Sequence, residues 1–256
     1  MPKPDEIRDA SCPLLARFAL SALAAALAAT LGGCDDGGGD AGGDAGDTDT
    51  DTDTGSDPGE TVTATVHLID AVSGIAPPDA TVAFDGEPVS FTDGAAAGPV
   101  AAGAPFELTA AAPGYRDTLL NGLAGDEDFH LTSFVSSRTT TAAVFGALGL
   151  TVDDTAGIVV VGVDTPALEP VVGATVSLDA THDAPFVFAG NTPTPGDTIP
   201  AGGASFVSFP NVEPGPVEIA VEPPAGLACH AFPGPGELST IEAYADAVSV
   251  ISYTCQ

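Results

Sequence analysis

Short stretches in which apolar and polar residues alternate fill the chain from Thr61 onward. In the first of them every second residue from Val62 is Val, Ala or Leu, as expected for a strand with one buried face. Gly, Pro and Asp separate these stretches, which is typical of turns between short strands. The predicted strands are Val62–Ile69, Thr81–Phe84, Phe106–Ala110, Phe129–Val135, Ile158–Val163, Thr175–Leu178, Val217–Val221 and Ala247–Thr254. This pattern predicts an all-β protein of antiparallel β-sandwiches.

The predicted elements occur twice in the same order. Asp70 is followed ten residues later by Ala80-Thr81-Val82, and Asp164 ten residues later by Ala174-Thr175-Val176. Further matching landmarks are Pro105-Phe106-Glu107-Leu108 with Pro113-Gly114, and Pro216-Val217-Glu218-Ile219 with Pro224 and Gly226. Landmarks in the same order indicate an internal duplication. We therefore predict two tandem β-sandwiches, over residues 61–135 and 157–256, joined by residues 136–156.

The joining segment carries the one predicted helix, Thr139–Leu148, with Ser137 as its N-cap and Gly149 after its end. If each sandwich is complete, the fragment 157–256 should fold alone. The alternative is that strands pair across the repeat into one merged sandwich, which the apolar strand Ile158–Val163 at the junction would permit.

Residues 1–33 have the pattern of a secretory signal. A basic front of Lys3, Arg8 and Arg17 precedes the apolar run Phe18–Leu31. This run of 14 residues is shorter than the ~20 that a transmembrane helix needs.

The end of the run, Leu31-Gly32-Gly33-Cys34, resembles the lipobox of bacterial lipoproteins. The resemblance implies that the chain is cleaved before Cys34 and that this cysteine is acylated. Two or three acyl chains anchor a protein stably. We therefore expect a lipoprotein of the cell membrane or outer membrane, with its body in the periplasm or on the cell surface. The alternative is an ordinary signal peptide cut elsewhere, with Cys34 in a disulfide.

Two cysteines remain for the folded body, because Cys12 would leave with the signal segment. Cys229 and Cys255 form an even pair in an exported chain, which predicts a disulfide. Closing this loop contributes about 3 kcal/mol by the chain-entropy argument. The alternative is a metal site with His230 beside Cys229.

A linker follows Cys34. Residues 35–60 contain ten acidic residues and eight Gly, with no aromatic or large aliphatic side chain, so they are predicted to be a disordered, solvated spacer. The alternative is a calcium loop, since acidic residues fall at EF-hand spacing at Asp49, Asp51, Asp53, Asp57 and Glu60. Thr54 stands where that loop needs Gly.

The net charge of the chain excludes one class of binding partner. The chain has 5 Lys+Arg against 36 Asp+Glu, a formal net charge of −31. Nucleic acids and anionic lipids need a cationic footprint, so nucleic-acid binding is excluded. From Thr61 onward the only cations are Arg116 and Arg138.

The second half resembles a carboxypeptidase regulatory-like domain. The stretches that carry the resemblance are Gly157–Asp164, Val171–Leu178 with its Gly-Ala-Thr-Val, and Phe209–Val221 with its Pro-Gly-Pro-Val. The first half is similar through Asp79–Phe84 and Pro105–Tyr115, with Asp79 in place of the Gly before Ala. The resemblance implies a transthyretin-like sandwich of about seven strands, related to collagen-adhesin B-type repeats and starch-binding-like folds. It also implies a non-catalytic module without a fixed ligand.

The residues show no catalytic pattern. His67, His130, His182 and His230 are scattered, without metal-ligand spacing. Nucleophile-elbow and P-loop motifs are missing from the sequence, and no Gly-x-Gly-x-x-Gly turn joins a predicted strand to a predicted helix. We therefore expect no enzyme activity and no cofactor.

One insertion distinguishes the halves and carries the candidate ligand contacts. It falls around His182–Gly203, where Phe186 and Phe188 alternate with Val187. This alternation favours another core strand. If the two rings are exposed instead, they and Phe232 are candidates to stack on a sugar or hold a protein partner. Two functions stay open, a binding module for carbohydrate or protein and a passive structural spacer, and an exposed aromatic patch would favour the first.

Overall fold

The computed structural model describes residues 60–256. The predicted signal segment, Cys34, the calcium-loop alternative and nearly all of the linker lie outside this range. The described part contains one helix, α1 (Arg138–Ala147), and seventeen strands. The strands are β1 (Thr61–Asp70), β2 (Thr81–Phe84), β3 (Glu87–Val89), β4 (Phe91–Thr92), β5 (Ala95–Ala101), β6 (Pro105–Ala111), β7 (Asp117–Leu123), β8 (Phe129–Val135), β9 (Gly157–Asp164), β10 (Thr175–Asp179), β11 (Phe186–Ala189), β12 (Thr192–Pro195), β13 (Phe206–Val212), β14 (Gly215–Glu222), β15 (Cys229–Ala231), β16 (Thr240–Ala243) and β17 (Ala247–Cys255).

The all-β prediction is confirmed, and each of the eight predicted strands is present with ends that differ by at most two residues. Strands β5 and β7 were not predicted, because Gly98-Pro99 and Asn121-Gly122 resemble turn signals. Their glycines instead make room for aromatic rings. A Cβ at Gly98 would lie 2.5 Å from the ring of Phe84, and one at Gly122 would lie 2.6 Å from the ring of Phe106.

The two halves share one strand topology, which supports the duplication. The first strand of each half pairs antiparallel with one strand and parallel with the last: β1 with β5 and β8, and β9 with β13 and β17. The series β2-β6-β7 likewise matches β10-β14-β16. The sheets are therefore mixed, whereas the sequence predicted antiparallel pairing. Alternation within a strand reports its buried face and carries no information on the direction of a distant partner.

One sheet runs through both halves, because β7 pairs in parallel with β17. Its order is β12-β11-β13-β9-β17-β7-β6-β2-β3, with β15 also on β17. The sheet β4-β5-β1-β8 covers one face in the first half, and β10-β14-β16 covers the opposite face in the second half. The two sandwiches are thus joined edge to edge through a shared sheet. Whether either half folds by itself stays a prediction.

This arrangement explains why β9 is free of polar side chains from Ile158 to Val163. Ile158 and Val160 belong to the core of the first half, whereas Val159 and Val161 belong to the core of the second. Every residue of β9 is buried, as expected for a strand covered on both faces.

Helix α1 covers the face of the shared sheet that carries Ile158 and Val160, through its own Val144 and Phe145. Its predicted cap is confirmed, since the Thr140 N–H donates to Ser137 Oγ at 3.1 Å. Gly149 follows the helix with φ +73°, a conformation that suits glycine at a helix end.

The turn before the second strand is the same in both repeats. Gly173 has φ +88° and Asp79, at the equivalent position, has φ +55°. Asp tolerates the left-handed region better than most residues, so the replacement of Gly by Asp keeps the turn.

Candidate functional site

The aromatic residues singled out as ligand contacts lie in the core. Phe186 and Phe188 are only 4% and 1% exposed, and the centroid of the Phe188 ring lies 5.7 Å from that of Phe206. Phe145 of α1 covers Phe186, with ring centroids 6.2 Å apart. Phe232 is half-buried against the same core. The prediction of a core strand is confirmed, and its alternative, that Phe186 and Phe188 are exposed for stacking on a ligand, is wrong.

The insertion that contains these rings extends the shared sheet. Strand β11 pairs with β13, and β12 forms the outer strand of the hairpin. Pro193 and Pro195 in β12 lack backbone N–H groups, so this edge is poorly suited to pairing with another strand. The insertion therefore ends the sheet on this side.

The predicted disulfide between Cys229 and Cys255 is present. The two residues are directly opposite in the pairing of β15 with β17. Backbone hydrogen bonds of 3.0 Å in both directions between Ala228 and Gln256 continue this pairing. The disulfide thus ties the last strand to β15, and Cys229 is not a metal ligand.

The histidines are spread over the body, as the sequence indicated. His67 and His130 are exposed on β1 and β8. The His182 ring packs edge-on against Phe209, and His230 Nδ1 lies 2.8 Å from the Gly234 carbonyl oxygen. Within residues 60–256, no three His, Cys, Asp or Glu side chains are grouped to hold a metal ion.

Both cations of the described body lie in one ion cluster where the two halves meet. Arg116 is 2% exposed; its Nη2 donates to Asp154 Oδ1 at 2.6 Å, and its Nη1 lies 2.8 Å from Asp246 Oδ1. The contact of Nη1 is an ion pair without hydrogen-bond alignment. Both Nη1 and Nε of Arg116 are therefore buried without a hydrogen-bond acceptor. Arg138 makes two hydrogen bonds of 2.6 Å to Asp246. Hydrogen bonding to Arg138, together with the charge of Arg116, lowers the pKa of Asp246.

The segment between the halves is held at a second point by Asn211. The Asn211 side chain donates to the Thr151 carbonyl at 2.8 Å and to Asp183 at 2.7 Å, and its Oδ1 accepts from the Asp153 N–H at 3.0 Å. Asn211 has φ +50° and lies where the pairing of β13 with β9 is irregular. Together with the ion cluster, these bonds make the connecting segment part of the folded body.

Two buried carboxyls occupy the same position in the two repeats and have opposite environments. Burial opposes ionisation of Asp70, but hydrogen bonds from Ser73, the Val72 N–H and the Tyr115 hydroxyl outweigh it and lower its pKa. Asp164 is 5% exposed, and burial raises its pKa to about 6 despite a hydrogen bond with Ser205. Ionised Asp70 therefore stabilises its turn, whereas ionisation of Asp164 opposes folding.

The charges of Glu107 and Glu242 act on each other and on the exposed Tyr244. Burial, followed by repulsion from Asp85 and Glu242, raises the pKa of Glu107. Burial and the charges of Glu107 and Glu242 likewise raise the pKa of Tyr244. Tyr244 is 42% exposed, so its ring is available at the surface.

The remaining exposed apolar side chains lie in loops at the two ends of the body. Val72 and Ile75 are in the loop after β1. Leu168 and Val172 are in the equivalent loop after β9, and Leu227 follows β14. Within residues 60–256 the one helix is too short to cross a membrane.

The chain matches no known family model and no curated protein. Among solved structures it is similar to the Bacillus anthracis TIE protein, with a TM-score of 0.26 and 9% identity over 76% of this chain. It spans about a third of that protein, 34%. It is also similar to the major pilin T-13 of Streptococcus pyogenes, with a TM-score of 0.26 and 8% identity over 77% of this chain and 97% of the pilin. A family 26 carbohydrate-binding module from Eubacterium rectale Amy13K, in complex with maltoheptaose, has a TM-score of 0.24 and 8% identity over 77% of this chain and 96% of the module. Scores this low leave the description of the fold and the site to rest on the structure.

Proposed function

We propose that this chain is a lipid-anchored, non-catalytic protein of the cell envelope, in which an acidic linker carries a body of two joined β-sandwiches. The observation that carries the proposal is the stretch Leu31-Gly32-Gly33-Cys34 after a basic and apolar leader. The disulfide between Cys229 and Cys255 supports an oxidising compartment for the body. The linker, residues 35–60, would span roughly 30 Å as a neutral coil and more when its charges repel.

The body is suited to a structural role, because the two halves are fixed to each other in three ways. They share the sheet through β7 and β17, they are held by the Arg116 ion cluster, and Asn211 holds the connecting segment. A body joined in this way keeps one shape while the linker connects it to the anchor. Burial of Phe186 and Phe188 also supports a structural spacer over binding through the inserted loop.

Replacement of Cys34 by Ala tests the anchor. In cells fed a clickable palmitate analogue, the unmodified protein should carry the label and partition into the detergent phase. The Cys34→Ala protein should lose the label and move to the aqueous phase, because it has no thiol to acylate. Cys12→Ala is the matched control and should keep both properties. Equal labelling of the Cys34→Ala and unmodified proteins would contradict the proposal.

A second candidate function is binding of a carbohydrate at Tyr244. An exposed ring stacks on the apolar face of a sugar, and the neighbouring carboxylates of Glu107 and Glu242 accept hydrogen bonds from its hydroxyls. On a glycan array, Tyr244→Ala should then lose at least about tenfold in binding, given the area a Tyr ring buries. Ile75→Ala, which removes another exposed side chain, should bind as the parent does. Glycan binding that Tyr244→Ala leaves unchanged would remove this site from consideration.

A further inference from the structure

Three exposed aliphatic side chains lie together at one end of the second sandwich, a patch that we call the basal tip. They are Leu168 and Val172 in the loop after β9 and Leu227 in the loop after β14, with exposures of 36%, 49% and 38%. The two loops are adjacent, since a Cβ at Gly173 would lie 3.7 Å from Cγ of Pro224. The basal tip is therefore built from both loops.

The linker joins the body at this same end. Strands β7, β9 and β17 run parallel, so all three finish at the end that carries the basal tip. Strand β8 begins after the short loop that follows β7, and β1 runs parallel to β8, so β1 also begins there. The Ala102 N–H donates to the Glu60 carbonyl at 3.0 Å, and the Gly103 N–H donates to the Gly125 carbonyl beside β7. Glu60, the last residue of the linker, is thus fixed at the basal end.

Leu168 has a backbone conformation that is unfavourable for leucine. Its φ is +60°, and it lies four residues after Asp164. In the first repeat the residue four places after Asp70 is Gly74, with φ +67°. The turn by itself needs only glycine, which adopts this region freely. A leucine at this position adds apolar surface at the tip that the turn does not require.

We propose that the basal tip rests on the lipid surface to which the chain is anchored. This inference rests on the proposed anchor at Cys34. The linker tethers the basal end near the bilayer, while the equivalent loop of the first repeat, with Val72 and Ile75, lies at the opposite end. Exposed aliphatic side chains at a tethered surface lower the free energy by entering the interface between headgroups and acyl chains. Glu169 flanks the tip and stays in water.

The chain contains no Trp, so a single introduced Trp reports on its own site without background. Val172 and Val72 form a matched pair, the same residue with 49% and 47% exposure at opposite ends of the body. The full lipidated chain with Val172→Trp or Val72→Trp is reconstituted into zwitterionic vesicles that contain brominated lipid. Leu227→Trp serves as a second tip reporter, and thermal melting checks that each variant folds as the parent does.

Vesicle flotation is read on the same samples, so the anchor and the tip are tested separately. We expect the protein to float, and the fluorescence of the Val172→Trp and Leu227→Trp proteins to be quenched at least about twofold more than that of Val72→Trp. Replacing part of the lipid by an anionic one should weaken the quenching, because the acidic body is repelled. Flotation with equal or absent quenching at the two ends would overturn the basal-tip inference and leave the anchor standing. Failure to float would overturn both. The emission of the Val172→Trp protein could instead shift to the blue only when envelope protein is added, without quenching by the brominated lipid. This result would assign the tip to a protein partner and overturn the inference.

Discussion

Replacement of Asp164 by Asn should stabilise the protein at neutral pH. Asp164 is 5% exposed, and its pKa is raised from 3.8 to about 6, chiefly by burial. A shift of about 2 pKa units corresponds to about 3 kcal/mol by which ionisation of this carboxyl opposes folding. Asn has a similar shape and no charge, so it should recover most of this energy, less what its new N–H group loses without an acceptor.

The effect depends on pH in a defined direction. The folded state binds the Asp164 proton more tightly than the unfolded state, so the parent gains stability as pH falls through about 6 towards 3.8. Above pH 7 the whole penalty is present. The advantage of Asp164→Asn should therefore be about 2–3 kcal/mol at pH 7.5 and close to zero at pH 3.5.

Urea unfolding followed by circular dichroism measures this difference. Parent and variant are compared at each pH, so that the titration of the other acidic residues cancels. Asp70→Asn is the matched control from the first repeat and should have the opposite sign. The pKa of Asp70 is lowered, so its stabilisation is present at neutral pH and is lost as pH falls through that lowered value. An Asp164→Asn protein that is no more stable than the parent at pH 7.5, or that shows the same difference at both pH values, would refute the reasoning.

Three further predictions concern the junction and the shared sheet. Gly122→Ala should lower the free energy of unfolding by about 1–3 kcal/mol, because its Cβ would lie 2.6 Å from the Phe106 ring; an unchanged urea midpoint would contradict this. Arg116→Met should lower it by about 0.5–1 kcal/mol, the scale of an ion pair with an exposed partner, because the Asp154 side chain is 74% exposed and Asp246 keeps Arg138; stability equal to the parent's would show that the ion cluster is dispensable. The sequence predicts that the fragment 157–256 folds alone if its sandwich is complete, but Ile158 and Val160 of β9 belong to the core of the first half, so this fragment should instead bind a hydrophobic dye and melt without cooperativity. The fragment 136–256, which keeps α1, should bind less dye because the helix covers part of the exposed sheet, and equal dye binding would contradict this covering role.

Short-range patterns in the sequence predicted about half of the seventeen described strands, including the long strands β1, β9 and β17. Alternation identified β1 and β8, and the Ser137 cap identified α1, because these signals depend on residues close together in the chain. The pairing of Cys229 with Cys255 followed from their being an even pair in an exported chain once Cys12 was assigned to the signal segment and Cys34 to the lipid. The buried position of Phe186 and Phe188 was also favoured by the local alternation.

Long-range contacts were beyond this reasoning. The need for glycine at positions 98 and 122 could not be read from the sequence, since the aromatic rings of Phe84 and Phe106 that occupy the space beside them lie on other strands. The ion cluster brings together Arg116 directly before β7, Arg138 at the start of α1 and Asp246 in the turn before β17. Nothing in the sequence around any of them indicates the other two.

By itself, the sequence determined the class of secondary structure, the twofold repeat and the disulfide, and it predicts a location in the cell envelope. Each of these depends on local composition, on periodicity or on a count. The tertiary structure decided that the repeats share a sheet through β7 and β17, that three of the strand pairings are parallel, and that Glu60 and the basal tip lie at one end. A strand exposes the same backbone donors and acceptors at both edges whatever its sequence, so its partner is chosen by the packing of the whole body rather than by its own residues.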